Sequence, residues 1–258
     1  MKKTLLVAAM LMATLGLKAQ TNIQEMYDFN RGHLTTTLEM FKADKWGSTF
    51  FFNDIYHPDI ITPTGYYTEI ARSLNFWQGS KLGAFSLHVE WNGGMYASNA
   101  WLFGVEYFLH SNDYKNTFTF EVMYKNIRQL TKSQPINTQV DYIPLQFTFV
   151  WGMNDLFGVK GLSFSGFLDI WGERQRWTVE DNTASTGIRG EETDWVILSE
   201  PQLWYNVGQH FGCENLSIGG EVELAYNFAG GWKEYDSQLG NVNKGFTVAP
   251  CLGIKWNF

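Results

Sequence analysis

From residue 23 to the C-terminus the chain alternates bulky apolar with small or polar residues in segments of about 10 residues, the period of two that belongs to strands. The last segment is the clearest. Across 246–258 the even positions Phe246, Val248, Pro250, Leu252, Ile254, Trp256 and Phe258 are bulky and apolar or proline, whereas Thr247, Ala249, Cys251, Gly253, Lys255 and Asn257 are small or polar. One face suits hydrocarbon and the other a crowded, hydrated interior. The rhythm recurs where Leu216, Ile218, Val222, Leu224, Tyr226 and Phe228 alternate with Ser217, Gly219, Glu221, Glu223, Ala225 and Asn227. Phe85, Leu87, Val89 and Trp91 oppose Ser86, His88, Glu90 and Asn92; Trp101 to Leu109 oppose Gly104, Glu106 and Phe108; Phe118 to Tyr124 oppose Thr117, Thr119, Glu121 and Lys125. Further strands are predicted over 23–30, 33–43, 46–55, 66–77, 142–152, 162–176 and 196–208, for a total of twelve.

Connections fall into two classes. Asp44-Lys45, 78–81, 111–115, 154–161 and 209–215 are short; the alternate set at 56–65, 129–141, 178–195 and 229–245 is long and polar, with a tighter one at 92–99. Short turns on one side and long loops on the other, with an even strand count, describe an all-β, antiparallel up-and-down barrel of the outer-membrane type. Both termini then lie with the short turns, facing the periplasm. A water-soluble barrel would put its apolar face inside. Here the face carrying the acids is rich in Ser, Thr, Gly and Ala, while the other carries Phe, Trp and Leu too bulky for a small interior. Arg72, on the outward parity in mid-strand by these boundaries, calls for a β-bulge or a shifted strand end.

Lys2 and Lys3 precede an apolar run, Leu5 to Leu17, that ends at Leu17-Lys18-Ala19, the layout of a secretory signal peptide. The reading is therefore a leader over 1–19 and a barrel over 20–258. Aromatics make up 17% of the chain beside a slightly negative mean hydropathy, as expected of strands wet on one face and greasy on the other. A net charge of -7 argues against a nucleic-acid partner. Two cysteines, Cys213 in a turn and Cys251 in a strand, are expected to be free thiols.

Several segments resemble the nucleoside-specific, Tsx-like family of outer-membrane channels. They are Leu38-Glu39-Met40-Phe41-Lys42-Ala43-Asp44-Lys45-Trp46-Gly47 running into Phe50-Phe51-Phe52-Asn53-Asp54, then Tyr67-Thr68-Glu69-Ile70, and Asn154-Asp155-Leu156-Phe157-Gly158 before Gly166-Phe167-Leu168-Asp169-Ile170-Trp171-Gly172. The final Leu252 to Phe258 run ends in the aromatic typical of barrels delivered to the outer membrane, and the style of the sequence resembles Bacteroidota-type relatives. The resemblance implies a 12-stranded monomer among outer-membrane lipid, inserted by the barrel-assembly machinery, with nucleosides a candidate cargo.

Parity sends Glu39, Glu69, Glu90, Glu106, Glu121, Asp169, Glu173, Glu200, Glu221 and Glu223 into the lumen, against the bases Lys125 and Lys255. Such acids either merely solvate the interior or repel anions and accept hydrogen bonds from a polar solute. The inward rings Phe41, Tyr67, Phe108, Phe167, Trp171 and Trp204 are candidate stacking surfaces, or filler. Neither a Gly-x-Ser-x-Gly elbow nor a His-Glu-x-x-His motif occurs. No catalytic group, cofactor or metal site is assigned. The function expected is a channel for small polar solutes through an acidic, aromatic-lined lumen, and the alternative is a lumen-filled barrel that binds at the surface or serves structurally.

Overall fold

The computed structural model describes residues 20–258 apart from 60–61, 96–98, 129–142, 176–192, 229–234, 237–239 and 242–244. The expected leader lies outside the described residues, as does most of the long loops. Twelve staves follow in chain order: β1 Gln20–Asp28, β2 His33–Asp44, β3 Gly47–His57, β4 Gly65–Leu74, β5 Phe85–Gly94, β6 Asn99–His110, β7 Asn116–Arg128, β8 Leu145–Asn154, β9 Leu162–Gln175, β10 in two halves (Thr193–Ser199 and Gln202–Tyr205), β11 Leu216–Tyr226 and β12 Phe246–Asn257. Each stave pairs antiparallel with the next, and β12 pairs both with β11, from Leu216↔Trp256 to Tyr226↔Phe246, and with β1, from Asn22↔Asn257 to Asp28↔Cys251. The sheet is closed. Closure leaves no free edge, which is the condition for strands to cross hydrocarbon.

β10 is one stave with a local break. Ser199 faces Leu168 and Gln202 faces Ser165, so the register runs on unchanged across Glu200-Pro201. Pro201 lacks an N–H and cannot donate to the ladder, though its carbonyl still accepts from Val222 N at 3.0 Å. Opposite it, Gly166 adopts φ +154°, and a Cβ there would lie 2.4 Å from the Glu200 carbonyl oxygen. Only glycine fits that approach.

The outer face is apolar and open. Phe103, Val105, Phe120, Val122, Tyr124, Leu252 and Ile254 are all exposed, while their inward neighbours Leu102, Met123, Ala249 and Cys251 are buried. The observed parity therefore matches the alternation, and the closed, greasy exterior identifies a membrane-spanning barrel. Some polar groups on that exterior pair with one another: Thr36 Oγ1 lies 2.6 Å from Glu25 Oε2 and 3.0 Å from His57 Nε2, and Asn53 Nδ2 donates to Thr68 Oγ1 at 2.5 Å.

Arg72 needs no bulge. The β3–β4 register is unbroken and β4 ends at Leu74 rather than at 77, so Arg72 sits at the short-turn rim. There its guanidinium donates to both Asp44 carboxylate oxygens, at 2.8 and 2.9 Å, and to Thr49 Oγ1 at 3.0 Å. Both cysteines are free thiols, Cys213 in the β10–β11 connection and Cys251 inward on β12.

Candidate lumen site

Because the staves keep register, inward residues form layers, and two buried polar networks emerge from them. The first spans β4 to β8. Ser73 Oγ donates to Glu106 Oε2 at 2.6 Å, His88 lies 3.3 Å from Glu106 and 3.2 Å from Glu90, Asn92 Nδ2 donates to Glu90 at 2.8 Å, and Lys125 Nζ donates to Gln146 Oε1 at 2.7 Å. The second joins β1, β2 and β3: Gln24 Nε2 donates to Asn22, Asn22 Nδ2 to Glu39, and Thr37 Oγ1 to Asp54. Beside the first network sits an apolar cluster of Ala100, Leu102, Met123, Ile127, Trp171 and Val196, with Leu198 and Phe228 packed on it.

Glu39 and Asp54 at the edge of the second network, and Glu69, Asp169, Glu200, Glu221 and Glu223 beyond it, are half-buried inward acids. Several are held from one side only. Thr148 donates to Asp169 at 2.5 Å, Gln202 donates to Glu221 at 2.9 Å, and the Tyr67 hydroxyl reaches Glu69 at 3.4 Å. Toward the short-turn end inward side chains are more exposed. Phe41 pairs with Gln20 and Val150 with Phe167, all on inward positions, yet Phe41 is 42% and Val150 37% exposed. Phe108 and Phe167 are half-buried.

The structure brings together on the lumen wall all the described residues that parity assigned there. Glu173 belongs to β9, but its side chain lies outside the described residues. Two assignments change. Trp171 and Trp204 point inward yet are 4% and 2% exposed, with Lys125 Nζ 3.9 Å and Lys255 Nζ 4.2 Å from their ring centroids. Those faces are occupied by cations, so the two rings are internal packing and cation–π partners rather than open stacking surfaces.

The second change is a third base. Arg31, in the β1–β2 turn, reaches into the lumen mouth, its Nη1 2.7 Å from Asp28 Oδ2 and its Nη2 2.6 Å from Glu223 Oε1. Burial works against its charge, but the Glu223 and Asp28 carboxylates outweigh that and raise its pKa, so the guanidinium stays protonated. Strand parity says nothing about turn residues, which is why this base escapes a sequence reading. Asp28, the last residue of β1, and Asp54 are further inward acids that it missed; the parity of Asp54's strand is hidden by the run Phe50-Phe51-Phe52. The lumen remains acidic after all three bases are counted.

A family model matches residues 20–258. The chain belongs to the family described as Domain of unknown function (DUF5020). No curated protein matches the sequence. Among solved structures the DUF5020 barrel is similar to the NanC porin, at 8% identity and a TM-score of 0.50 over 92% of this chain and 100% of that one. It is also similar to the KdgM porin in complex with disordered oligogalacturonate, at 10% identity and 0.46 over 93% and 99%, and to the Acinetobacter baumannii outer membrane protein Omp33, at 9% and 0.40 over 94% and 98%. At these identities the likeness is one of fold. A porin-type fold with an apolar exterior makes this a membrane-spanning barrel of the outer-membrane type.

Proposed function

We propose that this DUF5020 barrel is a selective channel for small polar solutes, neutral or cationic. The observation that carries the reading is the set of half-buried inward carboxylates, Glu39, Glu69, Asp169, Glu200 and Glu221, on the same wall as the rings Phe41, Phe108 and Phe167 at the short-turn end. Carboxylates at a narrow passage accept hydrogen bonds from hydroxyls and amines and repel anions, while rings at the mouth offer flat faces. Nucleosides, suggested by the Tsx-like segments, fit that combination of a flat base and a hydroxylated sugar. A polyanion such as oligogalacturonate does not. The barrel acts as a monomer, and no enzymatic step belongs to this reading.

Liposome swelling with size-matched nucleosides, nucleotides, neutral sugars and amino acids tests it. Nucleosides should enter at least as fast as neutral sugars of equal mass, and nucleotides should be excluded. Swelling for none of the solutes by a folded barrel would favour a lumen-filled binding or structural protein. That second reading draws on the packed interior, where Gln24, Leu102, Met123, Gln146 and Val196 are among the most buried side chains.

Delivery to the membrane is proposed to depend on the C-terminal aromatic, read by the barrel-assembly machinery. Phe258 is 72% exposed and contributes only its backbone N–H, to Thr21 O at 2.9 Å, so the lumen owes it nothing. Deleting it should lower the yield of heat-modifiable, folded barrel in the outer membrane while leaving the refolded protein's conductance unchanged. Equal yields would remove the assembly role.

A further inference from the structure

The lumen wall gathers an imidazole and two carboxylates from three successive staves: His88 on β5, Glu106 on β6 and Glu121 on β7. Glu106 and Glu121 are direct cross-strand partners, so two like charges face each other on the same inward side. Such a pair is unfavourable unless something of opposite charge lies between. His88 is registered with Gly104, and with no side chain there its ring reaches across to both acids. His88 Nδ1 is 3.3 Å from Glu106 Oε2 and 3.9 Å from Glu121 Oε1. All three residues are at least nine-tenths buried.

Each remaining contact orients these ligands. His88 Nε2 is 3.2 Å from Glu90 Oε2, and Glu90 is itself fixed by Asn92. If Nε2 carries the hydrogen donated to Glu90, the Nδ1 lone pair points at two carboxylates, an arrangement that only a proton or a cation between them makes favourable. Ser73 holds Glu106. Glu121 is the telling member: it is 8% exposed, among the described residues its carboxylate takes part in no hydrogen bond, and its Oε1 lies 3.9 Å from His88 Nδ1. A buried carboxylate without a hydrogen-bond donor is costly, and it is aimed at the same point as the other two.

We infer that His88, Glu106 and Glu121 form a binding site for a divalent first-row transition cation, with Glu90 as the positioning residue for His88. Ligand atoms around a tetrahedral ion at about 2.1 Å stand about 3.4 Å apart. The three here all lie within 4.8 Å of one another and need only small rotations to close on such an ion. One imidazole with two carboxylates suits Zn2+ or Mn2+; Ca2+ prefers six or more oxygens, and soft ions prefer sulfur. A carboxylate hydrogen-bonded to the far nitrogen of a metal-bound histidine is the usual supporting arrangement, and Glu90 supplies it. The site goes beyond the channel reading and does not depend on solute passage.

The test uses the folded barrel in detergent, stripped with a chelator, then loaded with Zn2+ or Mn2+ alone and separated from free ion, with metal content read by mass spectrometry. One ion per barrel is expected, and Co2+ in its place should show ligand-field absorption. E121Q preserves shape and breaks no hydrogen bond seen here, so it should fold and lose the ion. E90Q should weaken affinity about 10–100-fold. H57Q, on the outer face, should bind as wild type does. No ion retained by the folded wild-type barrel, or the same affinity in E121Q, would overturn the site and leave a shared proton as the bridge between His88 and the two acids.

Discussion

An arginine in place of Val122 is expected to cost the folded barrel about 2–4 kcal/mol when stability is measured by denaturant titration in phospholipid vesicles. Val122 is at the middle of β7, 47% exposed, flanked on its own strand by Phe120 and Tyr124 and paired with Val105 and Phe147 on the neighbouring staves. All of these point away from the lumen, so the guanidinium has no partner within reach and stands at the depth where hydrocarbon is thickest. Arginine in place of Phe157, which is 90% exposed in the β8–β9 connection, is the control and should change stability little. In a water-soluble barrel the Val122 substitution would be neutral, because an exposed arginine there would simply be hydrated. Equal stability of the two variants in bilayers would therefore sink the membrane assignment, however well the fold agrees.

The direction in which each strand faces was legible because a barrel wall separates two solvents, so the alternation is large and side-chain size reveals which face is which. Phe103 and Val105 against Glu106 are read correctly from the alternation, and the burial agrees. Twelve staves also followed from counting. Strand ends were less legible: 66–77 became Gly65–Leu74, because Phe76 and Trp77 extend the apolar run into a turn where they pack edge-on at the rim. The break at Pro201 was invisible, since a proline costs one hydrogen bond without shifting register.

The lumen chemistry was legible only as a list. That Glu106 faces Glu121, and that His88 stands between them and Glu90, depends on register, which the turns fix and single strands do not. That Trp171 and Trp204 are covered rather than open depends on where two lysines fold from other staves. Arg31 was hidden because it reaches the lumen from outside any strand.

These same pairings decide which carboxylates govern ion selectivity. Glu221 and Glu223 look equivalent by parity, but Glu223 is neutralised by Arg31 at 2.6 Å, and removing it would leave a half-buried guanidinium held, among the described residues, by Asp28 alone. Such a variant would mix a folding defect with a selectivity change. Glu39 and Glu69 are better probes: both are half-buried and, among the described residues, Glu39 accepts a hydrogen bond only from the Asn22 amide and Glu69 only from the Tyr67 hydroxyl at 3.4 Å. In planar bilayers under a salt gradient the wild-type barrel should be cation-selective, because a low-dielectric wall focuses the field of the acids into the passage. A unit charge about 4 Å from a passing ion in water is worth about 1 kcal/mol, a factor of about five in local concentration, so E39Q with E69Q together should lower the cation-to-anion permeability ratio by at least an order of magnitude. The preference should also weaken in 1 M salt, where the screening length falls to about 3 Å. An anion-selective wild type would overturn the acidic passage itself. An unchanged ratio in the double variant, with conductance intact, would move the path of ions away from β2 and β4 and toward the wall formed by Asp169, Glu200 and Glu221.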